Sequence, residues 1–370
     1  MSRYRFELAG RADDADLRHI LAATPMPGDI RVAFLREPSY FAGARVDGRF
    51  RQVVAPRDLD SGHLVGFGCR SLMPRWVNGR PEMIGYLSSL RLLAEHRNRG
   101  LVARGYAMLR RLHRDGRTRL YLTTIAEGNR TALELLTSGR AGLPAYHFAG
   151  RYHTLALPSR RRLLRRKDAS GTEVRPAQGD DVGRIVEWLR KEGPRRQFFP
   201  FYEAADFNTE TGIFKDLRLD DILLAWRDGE LRGILAGWDQ MGFRQTVVHG
   251  YGRTMNCVRP LYNAWARWRG LPSLPASGEA FRYRTVALPV VRDDDPQVFA
   301  ALVEALRARI AGACDYLLLG LHDADPLFVV ARRWRAVRYT TRLYLACWDD
   351  GEELRKGLDG RPPYLELGCL

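Results

Sequence analysis

Leu90-Arg91-Leu92-Leu93-Ala94-Glu95-His96-Arg97-Asn98-Arg99-Gly100-Leu101-Val102-Ala103-Arg104-Gly105 is the stretch on which the reading of this chain turns. An apolar, strand-like run enters a polar loop containing glycine, and an arginine-bearing helical pattern leaves it. The first backbone N–H groups of a helix have no intrahelical partner and point outward together, so such a turn receives an anion readily. The helix dipole and the guanidinium groups of Arg97, Arg99 and Arg104 add positive potential. Gly100 lets the backbone come close to the bound group.

Working outward, residues 1–158 read as a mixed α/β unit. A strand near Arg5–Leu8 precedes a helix from about Asp13, and a helical or irregular stretch covers Ile30–Phe41. Strands follow near Arg51–Ala55, His63–Met73 and Met83–Leu92. Then come a helix over Leu101–His113, a strand over Leu120–Ile125, a helix over Asn129–Leu136 and a closing strand over Arg151–Leu157.

A basic, then small and polar segment, 159–172, suits a connector. Beyond it the plan repeats. Asp180–Val186 opens a helix as Ala15–Leu21 does, Tyr316–Leu321 matches Leu120–Ile125, and Arg338–Leu345 matches the first closing strand. Three matches in one order indicate a duplicated unit over 173–350, with a tail or docking arm over 351–370. In this second unit the decisive turn is replaced by Val286–Pro296. It has no Arg-x-x-Gly and carries Asp293, Asp294 and Asp295, which would repel a pyrophosphate. Asp325 stands where Asn129 stands in the first.

Arg97, Gly100 and Val102 fall on the three defined positions of R/Q-x-x-G-x-G/A, and Asn129-Arg130-Thr131-Ala132 follows the next strand as N-x-x-A. Together with the element order over about residues 3–157, this resembles the GCN5-related N-acetyltransferase (GNAT) superfamily. The fold expected is therefore an α/β (α+β, mixed-sheet) arrangement of two tandem GNAT-like domains, the second degenerate. Val102 departs from the Gly or Ala usual at its position. The resemblance implies acetyl-CoA (or another acyl-CoA) as cosubstrate, held by Leu92, Leu93, Arg97, Asn98, Arg99, Gly100, Leu101, Val102, Ala103, Asn129 and Ala132. It implies an N–H near Leu92 that polarises the thioester, and transfer of acetyl to a small-molecule or peptide amine. The family's general-acid tyrosine would fall at Leu136, so Tyr146 is the substitute candidate. Glu127 is a weaker catalytic candidate that also reads as a polar turn residue. Tyr86 and Ser88 alternate on one strand face and are candidates for lining the acceptor site, whose selectivity is expected around Asp29–Asp47.

Two other readings remain open: a non-catalytic CoA-binding or scaffolding protein, and an RNA-engaging aminoacyltransferase resembling the paired-domain enzymes of peptidoglycan synthesis. The net charge of +16 suits anionic partners, although only four of the 59 basic residues are lysine. The basic residues are scattered and the basic connector lacks interleaved aromatics, which weighs against nucleic acid. Cys69, Cys257, Cys314, Cys347 and Cys369 are odd in number and never spaced C-x-x-C, so neither disulfides nor a metal site is expected. Cys369 reads as a candidate exposed thiol. The N-terminus lacks a signal-peptide core and no apolar run spans a bilayer, so a cytoplasmic location is expected. The aromatics between Trp226 and Trp268 read mainly as core.

Overall fold

The computed structural model describes residues 3–140, 142–159 and 171–370. The basic connector falls mostly on 160–170, outside the described residues. The first half comprises β1 (Tyr4–Leu8), α1 (Asp14–Ala23), β2 (Ile30–Leu35), β3 (Phe50–Asp58), β4 (Gly66–Val77), β5 (Arg80–Leu92), α2 (Leu101–His113), β6 (Tyr121–Ala126), α3 (Arg130–Leu136) and β7 (Ala145–Pro158). The second comprises β8 (Glu173–Pro176), α4 (Asp181–Glu192), β9 (Ile222–Arg227), β10 (Glu230–Trp238), β11 (Gln245–Tyr251), α5 (Arg253–Trp268), β12 (Tyr283–Val291), α6 (Pro296–Ile310), β13 (Tyr316–His322), α7 (Pro326–Ala331) and β14 (Val337–Cys347), with α8 (Glu352–Lys356) beyond it.

Helices form where apolar residues recur every three or four positions. In α1 these are Leu17, Ile20 and Leu21; in α6, Val298, Phe299, Leu302, Val303, Leu306 and Ile310. Aspartates start the later helices. The Asp295 carboxylate accepts from the N–H groups of Gln297 and Val298, and that of Asp325 from Leu327. Asn129 does the same for α3, accepting from Ala132 N–H at 3.1 Å. The matched positions Asn129 and Asp325 therefore share one local task, capping a helix.

Twelve strands make one sheet in the order β1-β3-β4-β5-β6-β14-β7-β13-β12-β10-β9-β8. The order is symmetric about its centre: β1, β3, β4, β5 and β6 mirror β8, β9, β10, β12 and β13. The two closing strands are exchanged between the halves. β14 pairs with β6 of the first half, β7 pairs with β13 of the second, and β7 and β14 pair with each other. Neither half defined by the sequence repeat closes its own sheet.

The segment expected to be helical or irregular over Ile30–Phe41 begins as strand β2, paired antiparallel with β11 from Ile30↔Tyr251 to Leu35↔Gln245. Its partner lies about two hundred residues downstream, so no local pattern announces it. Between the halves a buried carboxylate gathers three guanidinium groups. Asp47 receives Arg36 (2.8 and 3.0 Å), Arg51 (2.8 Å) and Arg244. Their charges hold its carboxyl below the usual range despite burial.

The last twenty residues dock. Tyr364 and Cys369 join a core with Phe199, Tyr202 and Trp238. Gly368 lies so close to the Trp238 ring that a Cβ would come within 2.5 Å of it. Cys369 is therefore buried, not an exposed thiol, because the arm it belongs to fills the second half's core. Glu366 is buried with it, accepting from Tyr364 Oη (2.7 Å) and from Leu288 N–H (3.0 Å). Burial pushes its carboxyl up to about 7.

The folded chain thus keeps a proton on Glu366 that the unfolded chain has already released. This stabilisation is complete below the unfolded pKa and is lost as pH rises through about 7. Thermal unfolding measured from pH 5 to pH 8 is expected to show a smaller fall in Tm for Glu366→Gln than for the parent protein.

Candidate active site

The parallel strands β5 and β6 touch only at Gly85↔Tyr121 and Tyr86↔Leu122. Gly85 allows this approach, since a Cβ there would sit 2.1 Å from the Tyr121 ring. Thr123 Oγ1 then donates to the Leu87 carbonyl at 2.8 Å, and beyond it the strands part. A bulge widens the gap. The β4–β5 register slips between Cys69↔Ser88 and Phe67↔Arg91, and Ser89 takes φ +56°. The unpaired backbone therefore lies at Ser89–Leu90. It lies within three residues of Leu92, the position expected from the sequence, whose Cα partner on β4 is Gly66.

The gap opens into a cavity of about 250 Å³. One arm lies between Ser88–Leu92 of β5 and Thr123–Ala126 of β6, with Asn129, Ala132 and Leu136 beside it. The other runs beneath α2, bounded by Phe6, Val54, Pro56, Gly68, Gly105 and Leu109. This second arm is mostly apolar, with Arg70, held by Asp115 and the Tyr121 hydroxyl, also on the cavity wall. A Cβ on Gly68 would meet only Leu90 Cδ1, at 3.8 Å, so the space over that residue is open.

At the mouth of the first arm stands the N-terminus of α2. Gly100 caps it with φ +68°, no side chain takes its N–H groups, and its first turn holds no acid. The first helical hydrogen bond runs from Arg104 N–H to the Gly100 carbonyl, which leaves the N–H groups of Leu101, Val102 and Ala103 ahead of it. Leu101 and Val102 line the cavity, and Ala103 is exposed. Arg97, Asn98 and Arg99 are exposed in the loop, and Arg97 Nε donates weakly to the Leu92 carbonyl at 3.4 Å. Arg104 is turned to β1 instead, donating to the Tyr4 carbonyl at 2.7 Å and lying over the Phe6 ring. Leu93, just past the end of β5, packs in a core with Leu17 and Ile20 and is not among the residues lining the cavity.

The catalytic candidates are placed differently. Glu127 is bound by Arg151 at 3.0 Å and Arg342 at 3.5 Å, which hold its carboxyl below the ordinary range. It is an ion-paired turn residue, not among those lining the cavity. Tyr146 is half-buried, its hydroxyl 2.6 Å from that of Tyr106. It reaches the cavity only through Tyr106, which lines it. Burial pushes the Tyr106 hydroxyl up to about 12, and the Tyr146 hydroxyl also lies above its ordinary value. Both stay protonated at neutral pH. Tyr106 was missed in the sequence because it reads as one of the core positions of α2. Ser88 lines the cavity; Tyr86 is buried, its hydroxyl 2.8 Å from Thr124 Oγ1. Among the described residues one trio of metal-capable side chains converges, His147, Cys347 and Glu352, away from the cavity and engaged with one another and Arg355.

The second half repeats the splay. β12 and β13 pair in parallel only at residues 283–285 of β12, and Leu288 takes φ +54° at a bulge, three residues on, as Ser89 does after Tyr86. Here the bulge N–H is occupied by Glu366, and the following acids are used locally. Asp294 pairs with Arg195 and Arg196, and Asp295 caps α6.

No protein-family model and no curated sequence matches this chain. Solved structures do. Saccharomyces cerevisiae N-myristoyltransferase with bound myristoyl-CoA superposes with TM-score 0.59 at 12% identity, over 94% of this chain and 83% of that one. A GCN5-related N-acetyltransferase from Sphaerobacter thermophilus gives 0.54 at 12% identity, over 100% and 99%. Another from Anabaena variabilis gives 0.51 at 9%, over 93% and 72%. The likeness shows the fold: that of the GCN5-related N-acetyltransferases and N-myristoyltransferase, here with two tandem GNAT-like units sharing a single sheet.

Gly100→Glu places a carboxylate and a strained left-handed residue at the α2 N-terminus. It is expected to abolish binding of inorganic pyrophosphate at this turn, measured by calorimetry, while leaving the fold, followed by circular dichroism, intact.

Proposed function

We propose that the protein is an acyl-CoA-dependent N-acyltransferase working in its first half. The observation that carries this reading is the slot between β5 and β6 with the open N-terminus of α2 at its mouth. The pyrophosphate of coenzyme A would meet the N–H groups of Leu101–Ala103, and pantetheine would run along Ser88–Leu92. The thioester carbonyl would then face the unpaired backbone at Ser89–Leu90, which stabilises the developing oxyanion. The amine nitrogen forms the amide bond as the carbon–sulfur bond breaks. The amine gives up its proton to solvent, and the leaving thiolate takes one from the Tyr106 hydroxyl, which its partner Tyr146 orients and which regains a proton from solvent in the same turnover. Asn129 fixes α3 against the slot by capping it.

The apolar arm beneath α2 favours an acyl group longer than the acetyl expected from the motif. A chain passing Ser89 would bury its methylenes against Val54, Pro56 and Leu109, each worth about 0.8 kcal/mol. The acceptor is an amine of a small molecule or a peptide. The test is transfer from acetyl-, octanoyl- and myristoyl-CoA to a panel of amines and amino-terminal peptides. Turnover is expected to favour the longer donors, and Gly68→Val to shift preference back to acetyl. Absence of transfer from every donor would defeat the reading. Tyr106→Phe is expected to lower kcat about a hundredfold with KM for the donor little changed.

A further inference from the structure

Helix α5 turns its apolar side to solvent. Val258, Leu261, Trp265 and Trp268 recur at spacings of three and four residues and so lie on one stripe. They are 45, 75, 48 and 78% exposed. The opposite side is already committed. Asn263 ties both the N–H and the carbonyl of Leu274, and Arg259 donates to the Pro275 carbonyl at 2.9 Å while lying over the Tyr251 ring. The helix is therefore anchored by one face while the apolar face stays bare. Exposed tryptophans in a row are rare on a surface without a partner.

The charges around the stripe select the partner. Arg253 and Arg269 are exposed at the edges of the stripe, and residues 253–269 contain no acidic residue. Two copies pairing through this face would set arginines against arginines. Valine and leucine in the stripe offer no plane for stacking bases. An aliphatic and indole stripe edged by arginines matches the boundary of an anionic bilayer, where indole sits at the headgroup level and guanidinium meets phosphate.

We propose that α5 is a membrane-surface anchor that lays its Val258–Trp268 stripe into an anionic lipid interface. The anchor adjoins the catalytic half. β11, directly before α5, is hydrogen-bonded to β2, and Gly252 N–H donates to the Asp29 carbonyl. Docking holds the first half against the lipid surface.

The test is co-sedimentation of the full chain with vesicles of phosphatidylcholine alone or with added phosphatidylglycerol. Binding is expected only with the anionic lipid, weakening as salt rises. Leu261→Ser combined with Trp268→Ser is expected to cut it about tenfold or more, and Arg253→Gln with Arg269→Gln to cut it at low salt. Both pairs are on the surface, and an unchanged Tm confirms that they fold. No binding to anionic vesicles, or equal binding by the serine variant, overturns the proposal. So does a dimer on size exclusion that the serine variant dissolves, or binding to polyuridylic acid without binding to vesicles.

Discussion

The antiparallel pairing of β7 with β14 is the constraint on which the molecule depends. Each is the last strand of one half and lies in the other half's territory, so the two are bound to each other and to β13 and β6 at once. The sheet has no seam at which the halves could part. Asp47 reinforces the same junction with charge. It draws Arg36 and Arg51 from one side and Arg244 from the other, and Arg244 also donates to the Gly368 carbonyl. Removing one member of such a buried set leaves the others uncompensated in low dielectric.

Within this frame, duplication yields two splays and two bulges, at Ser89 and Leu288. They have diverged by what occupies them. In the first half the gap stays open and a helix N-terminus faces its mouth. In the second the docked arm supplies Glu366 to the bulge N–H, and the acids standing where the first half has its Arg97–Gly100 turn are consumed as helix cap and ion pairs. One copy keeps the backbone geometry as an open slot, and the other uses it to hold the arm.

The sequence made the local features legible. The Arg97–Gly100 turn and the strands flanking it are short-range matters of periodicity and glycine placement, as is the start of α3 at Asn129. What escaped was set by distant partners. β2 is a strand because β11 pairs with it, and Cys369 is buried because Trp238 receives its neighbour Gly368. Tyr106 gains its position from a hydroxyl on Tyr146, forty residues away. Trp265 and Trp268 read as core by residue type, yet the helix that carries them is anchored by its other side.

The strand exchange also shapes how the chain can reach its fold during synthesis. When the first half has been made, β6 still presents an unpaired edge, and its neighbour lies more than two hundred residues ahead. β7, already formed, has as yet neither of its partners. The core of the first unit can collapse around α1 and α2, but its sheet stays unfinished until residue 347 is in place. Pairing across such separation is slow, and an open edge is prone to wrong partners in the meantime. The chain thus completes both halves in one late step, and the order in which they were duplicated no longer defines units that can be made separately.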